Sequence, residues 1–261
     1  MKNAIVTGGY GAIGTAIAEG LAAAGYSVTL VGRDPARLKA TARDITARTG
    51  NPEVHLASLD LGIAAEIRAF ADQWKQPLHL LVNNAATAPR KRMRTVEGVE
   101  MQFAVNVLGY YRMIMNFYPK MPSAGKPRIV NVASYWAGGL DLDDLEFVKR
   151  RYDSDAAYRQ SKQANRMLTA AFARLLEPQG ITVNACHPGD VNSKLSNDLG
   201  FGGHESPAEG AATPLLLALS GALDGITGKY FEHGRESSCP FMKAGKDVGA
   251  LFERCKSYDV P

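Results

Sequence analysis

The first two dozen residues constrain the fold more than any other part of the chain. Residues 3–7, Asn3-Ala4-Ile5-Val6-Thr7, form a short apolar run. Gly8-Gly9-Tyr10-Gly11-Ala12-Ile13-Gly14 comes directly after it, and Ala16, Ile17, Ala18, Leu21 and Ala22 then recur at helical spacing. This order predicts a strand, a glycine-rich turn and a helix. Such a turn suits a pyrophosphate: glycines let the backbone approach closely, and a helix N-terminus offers free N–H groups at the positive end of its dipole. Glycine also serves ordinary turns, so the turn gains its meaning from the rest of the chain.

The strand–helix unit recurs along the whole sequence. Strands are predicted at 3–7, 27–31, 53–57, 78–82, 128–133, 181–185 and 228–231, and helices at 12–24, 35–49, 62–74, 97–118, 156–177 and 207–219. Near-continuous apolar strands with helices between them imply a mostly parallel sheet covered on both faces. Right-handed crossovers make it a doubly wound, Rossmann-like α/β sheet flanked by helices. A chain of 261 residues fits one large α/β domain or two small ones. No Pro- or Ser-rich linker divides it and no internal repeat appears, so a single domain over 1–261 is expected.

Two segments interrupt the alternation. Residues 135–155 carry Gly138, Gly139 and the acidic run Asp141-Leu142-Asp143-Asp144, and residues 190–206 carry Gly200, Gly202 and Gly203. Both come after strands, where open α/β sheets bind ligands, and long loops in a compact domain are often lids. A solvated surface loop is the competing reading of the acidic run.

Charge and composition narrow the function. The net charge of +4 suits an anionic cofactor and makes no case for nucleic acid. The basic run Arg90-Lys91-Arg92-Met93-Arg94 has no interleaved aromatics and reads as a solvated loop. Cys186, Cys239 and Cys255 form no paired framework, and no Cys/His cluster has zinc spacing, so no metal site is expected. Reduced thiols point to a cytoplasmic protein. The first strand starts too close to Met1 for a signal peptide, and no apolar run reaches the roughly 18 residues of a membrane span. His187, His204 and His233 read as solvated or hydrogen-bonded, and Met113 and Met115 as packing. Ser206-Pro207-Ala208-Glu209 has the pattern of a helix capping box.

Tyr158 and Lys162 lie four apart in a predicted helix, on one face and one turn apart. A cation beside a phenol lowers its pKa from about 10, and a phenol tuned in this way moves protons near neutral pH.

With that pair in place, the chain resembles the short-chain dehydrogenase/reductase family over nearly its whole length. Thr7-Gly8-x-x-x-Ala12-Ile13-Gly14 is similar to its cofactor turn and Asn83-Asn84-Ala85-Ala86 to its Asn-Asn-Ala-Gly segment. Asn106 is similar to its helix asparagine, and Ser134, ending Ile129-Val130-Asn131-Val132-Ala133-Ser134, to its catalytic serine. Pro188-Gly189 with Val191 and Ser193 is similar to its loop over the nicotinamide. Phe103 to Tyr110, Ser161-Lys162-Gln163-Ala164-Asn165, His187-Pro188-Gly189 and Gly228-Lys229-Tyr230-Phe231 resemble the retinol-dehydrogenase-like branch. Ala12 and Ala86 stand where the family has glycine. A methyl at 12 crowds a pyrophosphate unless Gly11 lets the turn adjust, so cofactor affinity can fall at both positions without loss of a catalytic group.

The resemblance implies an oxidoreductase that passes a hydride between a nicotinamide and an alcohol or carbonyl carbon. Tyr158 would give or take the proton, Lys162 would lower its pKa and hold the nicotinamide ribose, Ser134 would hold the substrate oxygen, and Asn106 would order a relay water; helix bending is the competing role for Asn106. Gly8, Tyr10, Ala12, Ile13, Gly14, Asn84, Ala85, Pro188, Gly189, Val191 and Ser193 would contact the cofactor. The choice between NAD and NADP turns on the end of strand two. Related NAD enzymes carry an acid where this chain has Gly32, and Arg33 is next, whose permanently charged fork suits a 2′-phosphate. NADP (NADPH) is therefore expected over NAD. Asp34 is either a ribose ligand or the N-cap of the helix opening at Pro35. Asp60 and Leu61 would flank the adenine, with a helix cap as the other role for Asp60.

The expected substrate is a small-molecule carbonyl or alcohol, most simply a lipophilic aldehyde or ketone held by Tyr135, Trp136, Leu195, Leu199 and Phe201. The acidic run makes the competing case for a cationic or peptide-like substrate. Two other functions share the fold: a non-catalytic NADP(H) sensor or scaffold, and an epimerase or C=C reductase. A homo-oligomer is expected from pairing of the 97–118 and 156–177 helices, with Leu168, Ala171, Phe172 and Leu175 as the shared face.

Overall fold

The computed structural model describes residues 1–121 and 125–259. The strands are β1 (Asn3–Thr7), β2 (Ser27–Gly32), β3 (Val54–Ser58), β4 (Leu80–Asn83), β5 (Arg128–Val132), β6 (Thr182–Cys186), β7 (Tyr230–Glu232) and β8 (Arg235–Ser237). All eight join one sheet in the order β3-β2-β1-β4-β5-β6-β7-β8. Strands β1 to β7 pair in parallel, and β8 closes the far edge as an antiparallel hairpin with β7. The helices are α1 (Ala12–Ala23), α2 (Pro35–Thr49), α3 (Ala64–Gln73), α4 (Gly109–Phe117), α5 (Ser154–Leu176), α6 (Lys194–Asp198), α7 (Pro207–Leu219), α8 (Pro240–Lys243) and α9 (Gly245–Ser257).

Alternation of side chains along each strand builds two cores. Ile5, Leu81, Ile129 and Val183 face a layer holding residues of α3, α4, α5 and α9. Ala4, Val6, Leu30, Val82 and Val130 face α1, α2 and α7. This is the mostly parallel, doubly wound α/β sheet that the strand–helix alternation predicts. Strand order reverses between β1 and β4, and the crevice at the carboxyl ends of those strands is where such sheets bind ligands.

Several elements differ from the sequence-based expectation. β3 is an edge strand with Leu56 43% exposed, so the expectation of cover on both faces fails there. The helix predicted over 97–118 has a π-helical stretch, Phe103–Leu108, ahead of α4. β8, α6 and α8 are too short to stand out in the sequence, whereas α9 carries Val248, Leu251, Phe252 and Cys255 at helical spacing and is an element the sequence-based expectation omits.

Helix α9 covers part of the expected dimer face. Phe252 packs on Tyr111 and Phe172 at ring separations of 5.4 and 5.3 Å, and Tyr258 packs on Phe103 at 5.3 Å. Leu168 and Phe172 are buried within the chain, and of the four stripe residues only Leu175 is exposed. The apolar stripe has the helical periodicity expected of it but a different partner: it meets the chain's own last helix.

The acidic run divides: Asp144 is structural, whereas Asp143 is largely solvated, in keeping with a surface loop. Asp144 is buried and accepts from the amides of Val148, Lys149 and Arg150 at 2.7, 3.2 and 3.0 Å and from the Arg150 guanidinium at 3.1 Å. Burial alone would raise its pKa; these donors overcome that and hold it at about 2. Asp141 faces Arg150 and Asp143 faces Arg254, both at 3.6 Å.

Candidate active site

The glycine turn leaves β1 and feeds α1 at the strand-order reversal. Thr7 ties it to the segment after β4: its hydroxyl accepts from the amides of Asn84 and Ala85 at 2.8 and 3.1 Å, and Asn84 Nδ2 donates to the Thr7 carbonyl at 2.9 Å. A Cβ on Gly14 would sit 2.2 Å from the Gly8 carbonyl oxygen and 2.7 Å from Asn84 Nδ2, so only glycine allows this closure. α1 begins with no side-chain cap and no acid in its first turn. The amides of Ala12 and Ile13 find no acceptor among the described residues. Free amides at an uncapped, glycine-lined helix start suit the oxygens of an anionic group such as a phosphate. Ala12 and Ala86 both lie outside the left-handed region, so neither substitution for glycine strains the backbone.

At the other end of this crevice, Gly32 lies under the Tyr10 ring. A Cβ there would fall 2.4 Å from Tyr10 Cε1, which explains why no carboxylate stands at this position. Asp34 caps α2 by accepting from Ala36 N and Arg37 N at 3.0 and 3.1 Å, so its carboxylate is engaged. Arg33 is exposed and 3.7 Å from Asp60. Arg37, which no sequence motif marks, stacks on the Tyr10 ring at 4.4 Å. Asp60 also accepts from Gly62 N at 2.8 Å. Leu61 is buried against Gly109, with its side chain in the core.

A cavity of about 340 Å³ opens at the carboxyl ends of β5 and β6. It brings together Ile13 from the turn, Ser134 from the end of β5, Tyr158 from α5 and the stretch Pro188, Gly189, Val191 and Ser193 after β6. Tyr135, Trp136, Leu195, Leu199 and Phe201 form its apolar walls, with Trp136 6.2 Å from both Tyr158 and Phe201. The rest of the 135–155 loop folds away. His187, Asp190, Ser196 and His204 also line the cavity; the last three belong to the 190–206 loop expected beside the ligand, although no motif marks them individually. Ser193 has a second role as N-cap of α6. The capping box at Ser206 and Glu209 forms as its pattern predicts.

Tyr158 and Lys162 share a face of α5, both buried. The lysine Nζ lies 5.6 Å from the Tyr158 ring centre and donates to the Val132 carbonyl at 3.0 Å. The expected lowering of the tyrosine pKa is reversed. Burial raises it well above 10, Ser134 pulls it down, and Asp190 adds to the rise. Burial also draws Lys162 down to about 7, weakening the cation that was to do the lowering. The physical reason is common to both: an enclosed site penalises either charged form. Asn106 sits in the π-helical stretch with its amide fully engaged. Its Oδ1 accepts from Thr87 N at 2.8 Å, and its Nδ2 donates to Thr87 O and Ser161 Oγ at 3.0 and 3.1 Å. That side chain ties the Thr87 loop to α5.

His187 is buried rather than solvated, and burial with the nearby His233, Arg166 and Lys162 lowers its pKa to about 4. Behind Ser134 lies Arg166, also buried. It donates to the Ser134 carbonyl and to Tyr230 OH and stacks on the Tyr230 ring at 3.8 Å. No motif announces this arginine. Among the described residues, no group of His, Cys, Asp or Glu side chains is arranged to hold a metal ion, and no helix is long and apolar enough to cross a membrane.

The model of the short chain dehydrogenase family matches residues 2–200. The chain is 35% identical over 257 residues to mouse (Mus musculus) retinol dehydrogenase 13, covering 91% of this chain and 77% of that protein. It is 36% identical over 244 residues to retinol dehydrogenase 11 of the same organism, covering 88% and 77%. The solved structure of an uncharacterised protein from Mycobacterium Paratuberculosis superposes with a TM-score of 0.82 at 27% identity, covering 98% of this chain and 94% of that one.

Proposed function

The chain belongs to the short-chain dehydrogenase family, in its retinol-dehydrogenase-like branch, and from that premise we propose that it is an NADP(H)-dependent reductase of lipophilic aldehydes or ketones. The observation that carries the reading is the meeting of Ser134 and Tyr158 in one apolar-walled cavity with Ile13 and the Pro188–Val191 loop. An oxidoreductase of this family needs a hydride partner, and the nicotinamide supplies the hydride. The remaining work falls to side chains. Ser134 Oγ holds the substrate oxygen, and Tyr158 delivers a proton to that oxygen as it gains charge. A phenol whose pKa is raised by burial stays protonated at neutral pH, which favours reduction. Lys162 lies beneath the tyrosine and would bind the ribose, and Asn106 acts as a positioning residue through Thr87 and Ser161.

The NADP preference rests on Gly32, which the Tyr10 ring keeps free of a carboxylate, and on Arg33 and Arg37 beside it. The Ala12 and Ile13 amides would hold the pyrophosphate, with Gly8, Gly14, Asn84 and Ala85 forming the wall behind. We read the protein as cytoplasmic, its three cysteines free and buried. Because α9 covers part of the expected pairing face, the chain is read as a monomer rather than the expected homo-oligomer.

Steady-state assays with NADPH or NADH and a panel of aldehydes and ketones test the reading. NADPH should be consumed with aromatic or long-chain aldehydes, and NADH far more slowly. NADPH binding without consumption would make the protein a sensor, and substrate isomerisation without net oxidation would make it an epimerase.

A further inference from the structure

We propose that the substrate carries a positively charged amine close to its carbonyl, held by Asp190 within the aromatic walls of the cavity. This rests on the carbonyl-reductase reading above and names the substrate class of that site.

The residues lining the cavity include no lysine and no arginine, and Asp190 is their one carboxylate. Its backbone is fixed, since the Asp190 carbonyl accepts from His204 N and Glu205 N at 2.8 and 3.0 Å. Its side chain has no such tie. The carboxylate accepts no hydrogen bond from any described residue, and its one charged-type neighbour is His187 Nε2 at 4.0 Å. That imidazole is neutral at pH 7, so the contact is not an ion pair. Neither cation behind the cavity floor reaches the Asp190 carboxylate: Lys162 donates to the Val132 carbonyl, and Arg166 to the Ser134 carbonyl and Tyr230.

Asp190 is one-third exposed and close enough to Tyr158 to disfavour its phenolate. A carboxylate so placed also disfavours the alkoxide that forms during reduction, unless the substrate brings the compensating charge. An ammonium a few bonds from the carbonyl does so. The walls suit it as well: the Trp136 ring lies 6.2 Å from those of Tyr158 and Phe201, all three residues line the same space, and aromatic faces attract alkylammonium groups. An anionic substrate meets repulsion at the same point.

The test compares two isosteric probes, 3-(dimethylaminomethyl)benzaldehyde, cationic at pH 7, and 3-isobutylbenzaldehyde, neutral. In the intact enzyme with NADPH, kcat/KM should favour the amine by about tenfold or more, the usual scale of a charge-assisted contact. In Asp190→Asn the ratio should fall to within about threefold of unity. The ratio cancels any effect of the substitution on Tyr158, because both probes share the same proton step. Calorimetric titration of both probes into the NADP⁺-loaded protein gives a readout independent of turnover and should show the same preference. Equal binding of the two probes, or binding of neither, overturns the inference while leaving carbonyl reduction standing. An unchanged ratio in Asp190→Asn, with weaker NADP⁺ binding, also overturns it and turns the carboxylate toward the cofactor. If no carbonyl consumes NADPH, the reductase reading fails, and the calorimetric preference alone decides the amine site.

Discussion

Lys162→Met should inactivate the protein and stabilise it. The lysine is enclosed, 2% exposed, and burial draws it down to about 7, whereas an unfolded chain holds lysine near 10.4. Below pH 7 both states are protonated, and the folded state bears the whole cost of enclosing the charge. Between about pH 7 and about pH 10.4 the folded state releases its proton first, so stability rises with pH through that window. A displacement of roughly three units, at about 1.36 kcal/mol each, bounds the cost near 4 kcal/mol. Methionine removes the charge and keeps the length. It also removes the donor to the Val132 carbonyl, worth about 1 kcal/mol. That carbonyl keeps the Tyr110 hydroxyl, which donates to it at 3.1 Å. The net gain at pH 6 is about 2–3 kcal/mol, or roughly 5–10 °C in Tm for a chain of this size. Differential scanning calorimetry without added cofactor, from pH 6 to pH 10, should show the gain shrinking to near zero at the alkaline end. A variant less stable than the parent at pH 6, or a gain independent of pH, would show that Lys162 carries no buried-charge penalty.

The same geometry sets further expectations. Arg33→Ala should weaken NADPH binding by about 1.5–3 kcal/mol and leave NADH nearly unchanged, by calorimetry; equal losses would move 2′-phosphate recognition elsewhere, with Arg37 next in line. Gly32→Asp should not convert the protein to NADH on its own, because the new side chain meets Tyr10; the pair Gly32→Asp with Tyr10→Ala should bind NADH more tightly than either single variant. Light scattering at micromolar concentration should give a monomer, and a dimer built on α4 and α5 would require α9 to leave Tyr111 and Phe172. Trp136→Ala should lose far more activity on aromatic aldehydes than on a short-chain one, and equal loss on both would remove the aromatic wall from substrate binding.

The sheet was legible because its central strands are short, apolar and separated by amphipathic helices, a pattern with one economical solution. The edges were not. β3 is half exposed, and β8 is three polar residues reached through the His233-Gly234 turn, both at positive φ. The site was legible where backbone chemistry dictates the residue, as at Gly14, and where spacing places two side chains on one helix face, as at Tyr158 and Lys162. Electrostatics were not, since the sign of the Tyr158 shift depends on enclosure by residues far apart in the chain. Arg166 was invisible for the same reason, and Asp190 stood out only as part of the 190–206 loop: a lone charge acquires meaning only from the partners it has or lacks. The acidic run left two readings open in the sequence, and only the fold shows that Asp144 is consumed by three local amides and Arg150.

Single-turnover oxidation of NADPH by an aromatic aldehyde in Tyr158→Phe, with NADPH affinity measured on the same sample, tests whether Tyr158 is the proton donor. Phenylalanine keeps the ring and removes the proton. If Tyr158 delivers the proton, hydride transfer slows by about a hundredfold or more, within the roughly 10²–10⁴ range of general acid catalysis, while NADPH affinity holds. A rate near that of the parent protein, with NADPH bound as before, would contradict the assignment.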